Sequence, residues 1–348
     1  MRLVLLTLAA LAVCGVIATA AVVGFGLYNV SARQGHLPGV GWVLHTTFKQ
    51  SVRLRAPEAK EVPDDITSPD RIKLGALHFQ SACAFCHAAP GQPRSATALS
   101  MNPPPPHISE AVLQWEPQHM FWIVEQGVKM SGMPHWPADG RGDEIWSVVA
   151  YLNAVPDMTA QDQTALAGDG SGAVRCSACH GEEGKSVNTY VPRLDILTPD
   201  QITQALVQYR DGTRRSGIMQ EAASGLSDAQ IDRIAGRYGV AQVASAQAAD
   251  AAETDHAGAR LAMRGTDAVP ACTQCHGPGR AADAPIAPVL AGQSRAYMES
   301  QLKLWRDGQR GGGVRAKLMT KAAQNLSDAE ITTLADWFAG LAPAGDGK

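Results

Sequence analysis

One five-residue pattern occurs three times in the chain and constrains its fold more than any other feature. Each copy reads Cys-x-x-Cys-His, and the copies begin at Cys83, Cys176 and Cys272, which are 93 and 96 residues apart. A chain of 348 residues is expected to form about two to three domains. The near-regular spacing therefore predicts three small domains in tandem, each built around one copy of the pattern.

The chemistry of this pattern indicates covalent attachment of haem. Two thiols three positions apart at the start of a helix can add to the two vinyl groups of a porphyrin, and the histidine that follows can bind the iron as the proximal ligand. The alternative is a zinc site of cysteine and histidine ligands, but three regular copies favour haem. We therefore predict three covalently bound haem c groups. The predicted attachment residues are Cys83, Cys86, His87, Cys176, Cys179, His180, Cys272, Cys275 and His276.

The N-terminal region is a long apolar run. No charged residue occurs from Leu3 to Val30, and this run exceeds the roughly 20 residues that cross a bilayer as a helix. The favoured interpretation of residues 1–30 is an uncleaved membrane anchor. The alternative is a signal peptide with a cleavage site at Ala18-Thr19-Ala20, although signal peptides have an apolar core of only about 7 to 15 residues. Cys14 lies in this run, and every other cysteine belongs to a haem motif, so none is left for a disulfide.

The location of the rest of the chain follows from the haem. Haem c is attached on the outer side of the bacterial inner membrane, so the chain beyond Val30 is predicted to lie in the periplasm. Residues 31–63 are a predicted juxtamembrane segment. Within it, residues 42–55 favour an amphipathic helix, which lies either on the membrane surface or against the first domain. A net charge of -3 and a pI near 6.4 argue against nucleic acid as a partner.

The first haem domain is predicted over residues 64–158. Residues 70–82 favour a helix that leads directly into the first motif. Residues 143–152 carry an apolar stripe with helical spacing and are predicted to form the last helix of this domain. Gly75 is expected to let the two helices approach closely, because it has no side chain.

The segment between these helices contains candidates for both axial sides of the first haem. Four consecutive prolines at 103–106 predict an extended segment, and one of its carbonyls is expected to accept the Nδ1–H of His87 and orient that ring. Met133 lies in a Gly-Met-Pro triplet similar to the distal loop of bacterial one-haem domains, and it is the predicted sixth iron ligand. Met130 is the alternative. Two histidines are less favoured and are expected to face solvent or to be structural: His119 and His135.

The second and third domains, predicted over residues 170–240 and 254–343, are repeats of one another. In each, an amphipathic helix ends in Arg-Asp-Gly, and a loop, a methionine and a final helix beginning Leu-Ser-Asp follow. Met219 and Met319 occupy matching positions, 43 and 47 residues after the first cysteine of their motifs. Methionine is also a common core residue, so it is the match between the repeats that predicts both as sixth iron ligands.

Local signals support the repeat. Ser227 and Ser327 are predicted N-caps of the final helices, each with a Gln or Glu three residues later that completes a capping box. Pro192 and Pro288 follow their haem motifs at matching positions and are expected to form the turn that supports the proximal histidine.

Three other stretches bear on the domain organisation. The linkers are predicted over 158–169 and 241–253, which are poor in large apolar residues. Glycines over 168–173 predict a loop, so the first helix of the second domain is expected to be short or displaced. Arginines near the Arg-Asp-Gly turns are candidates for contacts with haem propionates or a partner, with a solvated surface as the alternative: Arg214, Arg215, Arg306 and Arg310.

Together these features resemble the class I cytochrome c family, with its N-terminal helix, haem motif, proline turn, distal methionine and C-terminal helix. The resemblance covers about residues 64–343. It implies an all-α fold in which one N-terminal transmembrane helix precedes three small class I cytochrome c domains in tandem. The second and third domains resemble tandem dihaem cytochromes. The whole chain is similar to membrane-anchored trihaem cytochrome subunits of periplasmic dehydrogenases.

The resemblance implies electron transfer rather than catalysis. Histidine and methionine ligands favour ferrous iron and raise its potential, and they leave no open position for a substrate. The expected function is to relay electrons between a dehydrogenase and the respiratory chain or a terminal oxidase. The expected partners are a membrane-bound or periplasmic oxidoreductase, a terminal oxidase or a soluble cytochrome, at the inner membrane. Two alternatives remain open: a free-standing anchored carrier, and a catalytic cytochrome such as a peroxidase with one five-coordinate haem.

Overall fold

The computed structural model describes residues 1–168, 175–240, 256–277, 287–313 and 315–343. Over these residues every named element is a helix, and the β-type pairing is an isolated bridge between Arg214 and Gly311. The prediction of an all-α chain is confirmed for this part of the sequence.

Two helices precede the haem motifs, α1 (Arg2–Gly24) and α2 (Val40–Arg55). Helix α1 has 23 residues, buries none of them, and is long and apolar enough to cross a membrane. Helix α2 packs on the helices that follow it, because Val52 is fully buried and the ring of Phe48 lies 5.7 Å from that of Trp115. Of the two interpretations left open for α2, these contacts support packing against the first haem-motif region.

The first segment, residues 56–168, contains the first haem motif. Its α-helices are α3 (Pro69–Ala82), α4 (Ala84–His87), α5 (Ala96–Leu99), α6 (Ile108–Ala111), α7 (Pro117–Gln126), α8 (Gly142–Ala154) and α9 (Ala160–Ala167). Short 3-10 helices cover Ala59–Glu61, Val112–Gln114 and Val155–Asp157.

Helices α3 and α8 form the centre of the first segment. A Cβ atom added at Gly75 would lie 2.0 Å from the carbonyl oxygen of Ser147, so the two backbones are in contact at this point. The ring of Phe79 packs on that of Tyr151 at 5.0 Å between centroids. The predicted close approach at Gly75 is confirmed. Because α3 leads into the first motif, this contact fixes where that motif lies.

Helix α9 occupies most of a stretch predicted to be a linker. The prediction for 158–169 is wrong over residues 160–167, which pack on the first segment. Gln163 is fully buried, accepts a hydrogen bond from Tyr151 Oη at 2.8 Å and donates one to Gln80 at 3.1 Å. Buried amide hydrogen bonds of this kind leave no apolar periodicity in the sequence.

The second segment, residues 175–240, and the third segment, residues 256–343, repeat one arrangement. The second contains α10 (Cys176–His180), α11 (Pro199–Arg210), α12 (Gly217–Ser224) and α13 (Asp228–Tyr238). The third contains α14 (Ala257–Arg264), α15 (Thr273–His276), α16 (Arg295–Arg306), α17 (Ala316–Ala323) and α18 (Asp328–Gly340). The predicted capping boxes at Ser227 and Ser327 are confirmed. The loop predicted over 168–173, apart from Gly168, and the linker predicted over 241–253 lie outside the described residues.

Buried apolar residues form a separate cluster in each segment, and the three segments meet at one junction. Hydrogen bonds cross each of the three boundaries. They join Thr189 N–H to Asp70 at 3.0 Å, Ser300 Oγ to Asp143 at 2.8 Å, and Arg193 N–H to Gln293 at 2.9 Å. The haem motifs are therefore held in one body rather than on independent units.

Candidate haem-binding sites

Each Cys-x-x-Cys-His motif forms a single helical turn, on α4, α10 and α15. In the first and third motifs the histidine N–H donates to the carbonyl of the first cysteine, at 3.0 Å for His87 and Cys83 and at 2.9 Å for His276 and Cys272. All seven cysteines are free thiols. Two thiols and an imidazole are thus presented from one short helix, as attachment to a porphyrin edge requires.

The second ring nitrogen of each motif histidine is held by a proline carbonyl. Its Nδ1–H donates to the backbone oxygen, which leaves Nε2 with a free lone pair directed away from the turn. The distances are 2.9 Å for His87 and Pro106, 3.1 Å for His180 and Pro192, and 2.8 Å for His276 and Pro288. The predicted hydrogen bond from the Nδ1–H of His87 to a carbonyl of the four-proline segment is confirmed, and the same arrangement recurs in the other two sites.

Burial also keeps these imidazoles in the form that binds metals. It lowers the pKa of His87, His180 and His276, against the opposing effect of the proline carbonyls. A lowered pKa favours the neutral ring, which is the iron-binding form.

In the third segment the two predicted axial residues are in contact. There the Sδ atom of Met319 lies 3.4 Å from Nε2 of His276, so the predicted axial pair converges on one point. In the second segment, Met219 lies in the first turn of α12, partly buried against the apolar cluster, and its N–H is held by Ser216 Oγ at 3.0 Å. In the first segment, Met133 lies partly buried in the loop between α7 and α8, with its N–H bonded to Ser131 Oγ at 3.2 Å.

The less favoured candidates for the sixth iron ligand are exposed or are bonded to other groups. Met130 is 95% exposed. His119 caps α7 by accepting the N–H of Glu116 at 3.3 Å, and His135 bonds through Nδ1 to a neighbouring carbonyl at 2.8 Å. Sequence reasoning gave no role to Met101. Its methyl group packs on Gly132, where an added Cβ atom would lie 2.2 Å away, and Gly132 directly precedes Met133.

One cysteine of each motif is buried, as a thiol that faces a porphyrin edge would be, whereas Cys176 and Cys275 are exposed. Burial raises the pKa of Cys83 to about 12, and those of Cys179 and Cys272 to about 11. The donor set of two thiols, an oriented neutral imidazole and a thioether fits haem c. When bound, the haem would supply an iron that cycles between the ferrous and ferric states, while these residues attach it and hold its axial positions.

A buried ionic network links the first site to the second, and sequence reasoning missed it. The carboxylate of Glu144 on α8 pairs with Arg141 at 2.6 Å, and accepts hydrogen bonds from the hydroxyl of Ser216 and, at 2.7 Å, from the N–H of Gly217. Ser216 is the N-cap of α12 and bonds the N–H of Met219. Glu144 therefore anchors the turn that carries Met219, the predicted sixth ligand of the neighbouring site.

Trp136, three residues after the predicted ligand Met133, touches the same turn. A Cβ atom added at Gly217 would lie 2.2 Å from the indole nitrogen of Trp136, and Trp136 is 5% exposed. The loop that contains Met133 and the helix start that contains Met219, the two predicted sixth ligands, are therefore packed on one another. No local pattern could have revealed this contact, because its partners lie about eighty residues apart.

Comparison with known proteins defines the class of this chain. Residues 70–152 match the family model described as cytochrome c oxidase, cbb3-type, subunit III. A thiosulfate dehydrogenase electron acceptor from Thiomonas intermedia is 37% identical over 175 residues, which are 48% of this chain and 78% of the relative. Cytochrome c4 from Azotobacter vinelandii is 31% identical over 192 residues, which are 51% of this chain and 89% of the relative. The structure of reduced cytochrome c4 from Pseudomonas stutzeri is 29% identical, covers 48% of this chain and 93% of that one, and has a TM-score of 0.41.

The two sequence relatives and the helical haem motifs define a class I c-type cytochrome. The chain belongs to the family that includes cytochrome c4 and the thiosulfate dehydrogenase electron acceptors. It is a multihaem electron carrier rather than an enzyme.

Proposed function

We propose that the chain is a trihaem cytochrome c that relays electrons from a periplasmic dehydrogenase to the respiratory chain. One observation carries this proposal: in all three motifs the histidine Nδ1–H donates to a proline carbonyl, at 2.8–3.1 Å. A structural histidine would not need this arrangement three times beside a cysteine pair. Each recurrence prepares one Nε2 atom for iron.

The proposed division of the chain is a membrane anchor over 1–30, a juxtamembrane segment over 31–63, and haem domains over 64–158, 170–240 and 254–343. In these domains the cysteine pairs attach the haems. The motif histidines bind iron on one side, and Met133, Met219 and Met319 bind it on the other. Two protein ligands per iron keep substrates away, so the chain's own residues favour electron transfer over oxygen or peroxide chemistry.

The proposed location is the bacterial inner membrane, with one span and the haem domains in the periplasm. Helix α1 supports it, because its 23 residues are apolar and none packs on the rest of the protein. A signal peptide has the same composition but would be removed. The size of the mature protein distinguishes the two, since a cleaved chain would lose the first twenty or so residues.

The proposed electron donor is a thiosulfate dehydrogenase or a similar oxidoreductase. Its support is the relative named as the electron acceptor of that enzyme, which matches this chain over 78% of its own length. The first segment carries the match to an oxidase subunit and directly follows α2. We therefore place the exit of electrons at the first haem, toward a terminal oxidase or another respiratory partner near the membrane.

A reduction assay tests this function. The oxidised, haem-loaded protein is mixed with a purified thiosulfate dehydrogenase and thiosulfate, and the ferrous haem absorbance is followed. We expect all three haems to be reduced, and no reduction when the dehydrogenase or the thiosulfate is omitted. Reduction no faster than without the enzyme would refute this donor. A high-spin haem that consumes peroxide would instead indicate a catalytic cytochrome.

A further inference from the structure

One face of α2 packs on the first segment, and the opposite face is uncovered by the residues that the structure describes. Phe48 and Val52 lie on the packed face. Residues three and four positions apart share one side of a helix, so a second row runs along the other side. Val43 and Leu54, at the two ends of this row, are 51% and 77% exposed. We call this row and the two exposed residues beside it the outward face: Trp42, Val43, Thr47, Gln50, Arg53 and Leu54.

The charges around the outward face are all positive. No acidic residue occurs in the chain before Glu58. The first segment, residues 56–168, has the opposite balance, with 13 acidic and 6 basic residues. An anionic surface therefore attracts α2 and repels the body on which α2 packs. Four basic residues lie between α1 and Glu58: Arg33, Lys49, Arg53 and Arg55.

These basic residues are on the side of α1 that membrane topology disfavours. Lys and Arg normally collect on the cytoplasmic side of a span, yet Arg2 is the one basic residue before α1, and four follow it. In the proposed orientation those four lie on the periplasmic side. Binding of lipid phosphates at that surface accounts for positive charges that topology alone would not favour.

The segment around α2 is also tied to the site of the first haem. Residues 25–39 connect α1 to α2, and within them the carbonyl of Gln34 accepts a hydrogen bond from the side chain of Asn102 at 2.7 Å. Asn102 directly precedes the four prolines, and the last of their carbonyls orients His87. The chain that leaves α1 is therefore bound to the first haem site both before and along α2.

We infer that the outward face of α2 docks on the surface of an anionic phospholipid bilayer, so that α2 lies flat between the membrane and the first segment. Trp42 and Leu54 enter the interfacial region and Arg53 binds lipid phosphate, as in other interfacial helices. Because a helix is about 10–12 Å across, docking holds the first segment one helix diameter above the headgroups. The inference rests on the proposed function, since α1 is taken as the anchor, and it gives the first haem a fixed orientation toward a partner in the membrane.

Spin labelling of the full-length, haem-loaded protein in lipid nanodiscs tests this inference. A nitroxide is attached at Gln50→Cys in a Cys14→Ser chain, because Gln50 is exposed on the outward face. Its collisions with a water-soluble nickel chelate are measured with the haems reduced. The discs contain phosphatidylcholine alone, or equal parts of phosphatidylcholine and phosphatidylglycerol. We expect fewer collisions in the anionic discs, and we expect high salt to remove the difference.

Two variants test the charged and the apolar parts of the outward face. Arg53→Gln is expected to weaken docking on the anionic discs about fivefold, which is the contribution of one basic residue near such a surface. Leu54→Gln is expected to weaken it by a similar factor, because an apolar side chain no longer enters the interface. The matched control is Lys321→Gln, which removes an equal charge from the exposed surface of α17 and should leave the collisions at residue 50 unchanged.

The outcomes separate this inference from the proposed function. Equal collision rates in the two kinds of disc, or a rate in anionic discs that Arg53→Gln leaves unchanged, would overturn the inference. A label that is shielded only after a partner oxidoreductase is added would also overturn it, because the face would then bind a protein. Fewer than three haems per chain would instead overturn the proposed function and leave the docking standing. If the mature protein lacks α1, the proposed anchor is wrong, and co-sedimentation of that chain with phosphatidylglycerol vesicles decides the docking, since no co-sedimentation contradicts it.

Discussion

Replacing Glu144 with glutamine is expected to loosen the helix that carries Met219, although the two residues belong to different segments. The carboxylate is buried and bonds to Arg141, to the hydroxyl of Ser216 and to the N–H of Gly217. Ser216 in turn caps α12 one residue before that helix begins. The substitution keeps the shape of the side chain and removes its charge.

The magnitude follows from the bonds that are weakened. Hydrogen bonds to a charged group contribute about 1.5–3 kcal/mol each, and glutamine can accept only with its one oxygen. Arg141 keeps its pair with Asp143 at 2.9 Å, so it is not left without a partner. We therefore expect Glu144→Gln to lower the free energy of unfolding by about 2–4 kcal/mol, which is less than the loss expected for a fully orphaned buried charge.

Two measurements check this prediction. Denaturant unfolding of the haem-loaded protein gives the stability, and the absorption band of methionine-bound ferric haem reports on the Met219–iron bond. We expect a lower denaturant midpoint than in the wild type. On heating, we also expect the third of the absorption band that belongs to the Met219-ligated haem to be lost at a lower temperature than in the wild type. The exposed Glu110 provides the control, since Glu110→Gln removes the same charge from the same segment without a buried contact. Equal stability and equal band intensity in the two variants would refute the reasoning.

Three further predictions follow from single side chains. Gly75→Ala forces a Cβ to within 2.0 Å of a backbone oxygen of α8 and is expected to cost at least about 1–3 kcal/mol of stability. The control Gly236→Ala places its Cβ in open space and should be neutral or stabilising by up to about 1 kcal/mol. Equal thermal midpoints for the two variants would contradict the close contact at Gly75. Burial lowers the pKa of His78 to about 4, below its value in the unfolded chain. The free energy of unfolding should therefore fall as the pH drops from about 6.5 to 4, by at most about 3 kcal/mol. Denaturant titrations at several pH values should show a smaller fall for His78→Phe. Met319→Ala should convert one haem to high spin in the absorption spectrum, and Met130→Ala should not, because that side chain is exposed; identical spectra would argue against the ligand assignment.

The parts of the fold that the sequence predicted correctly depend on contacts close along the chain or on a repeated pattern. The capping boxes of α13 and α18 follow from a serine and a Gln or Glu three residues later. The hydrogen bond from the Nδ1–H of His87 to the carbonyl of Pro106 follows from a run of prolines after the motif, because such a run has free carbonyls. The close packing at Gly75 follows from a glycine on an otherwise apolar helix face.

The parts that were missed depend on polar contacts between distant residues. Helix α9 was predicted to be a linker because its sequence is polar, and only the partners of Gln163 show why it is buried. Glu144 lies in the first turn of α8, where the helix dipole favours an acidic residue whatever its tertiary contacts. Its bond to Ser216 spans 72 residues, and no periodicity in the sequence marks it.

The most direct test of the central claim is the number and spin state of the haems in the purified full-length chain. Haem quantified after alkaline pyridine treatment, divided by protein from amino-acid analysis, should give three covalently bound haem c groups per chain, all low-spin in both oxidation states. A ratio of two or fewer, or metal analysis that finds zinc in place of iron, would contradict the assignment of the three motifs on which the account depends.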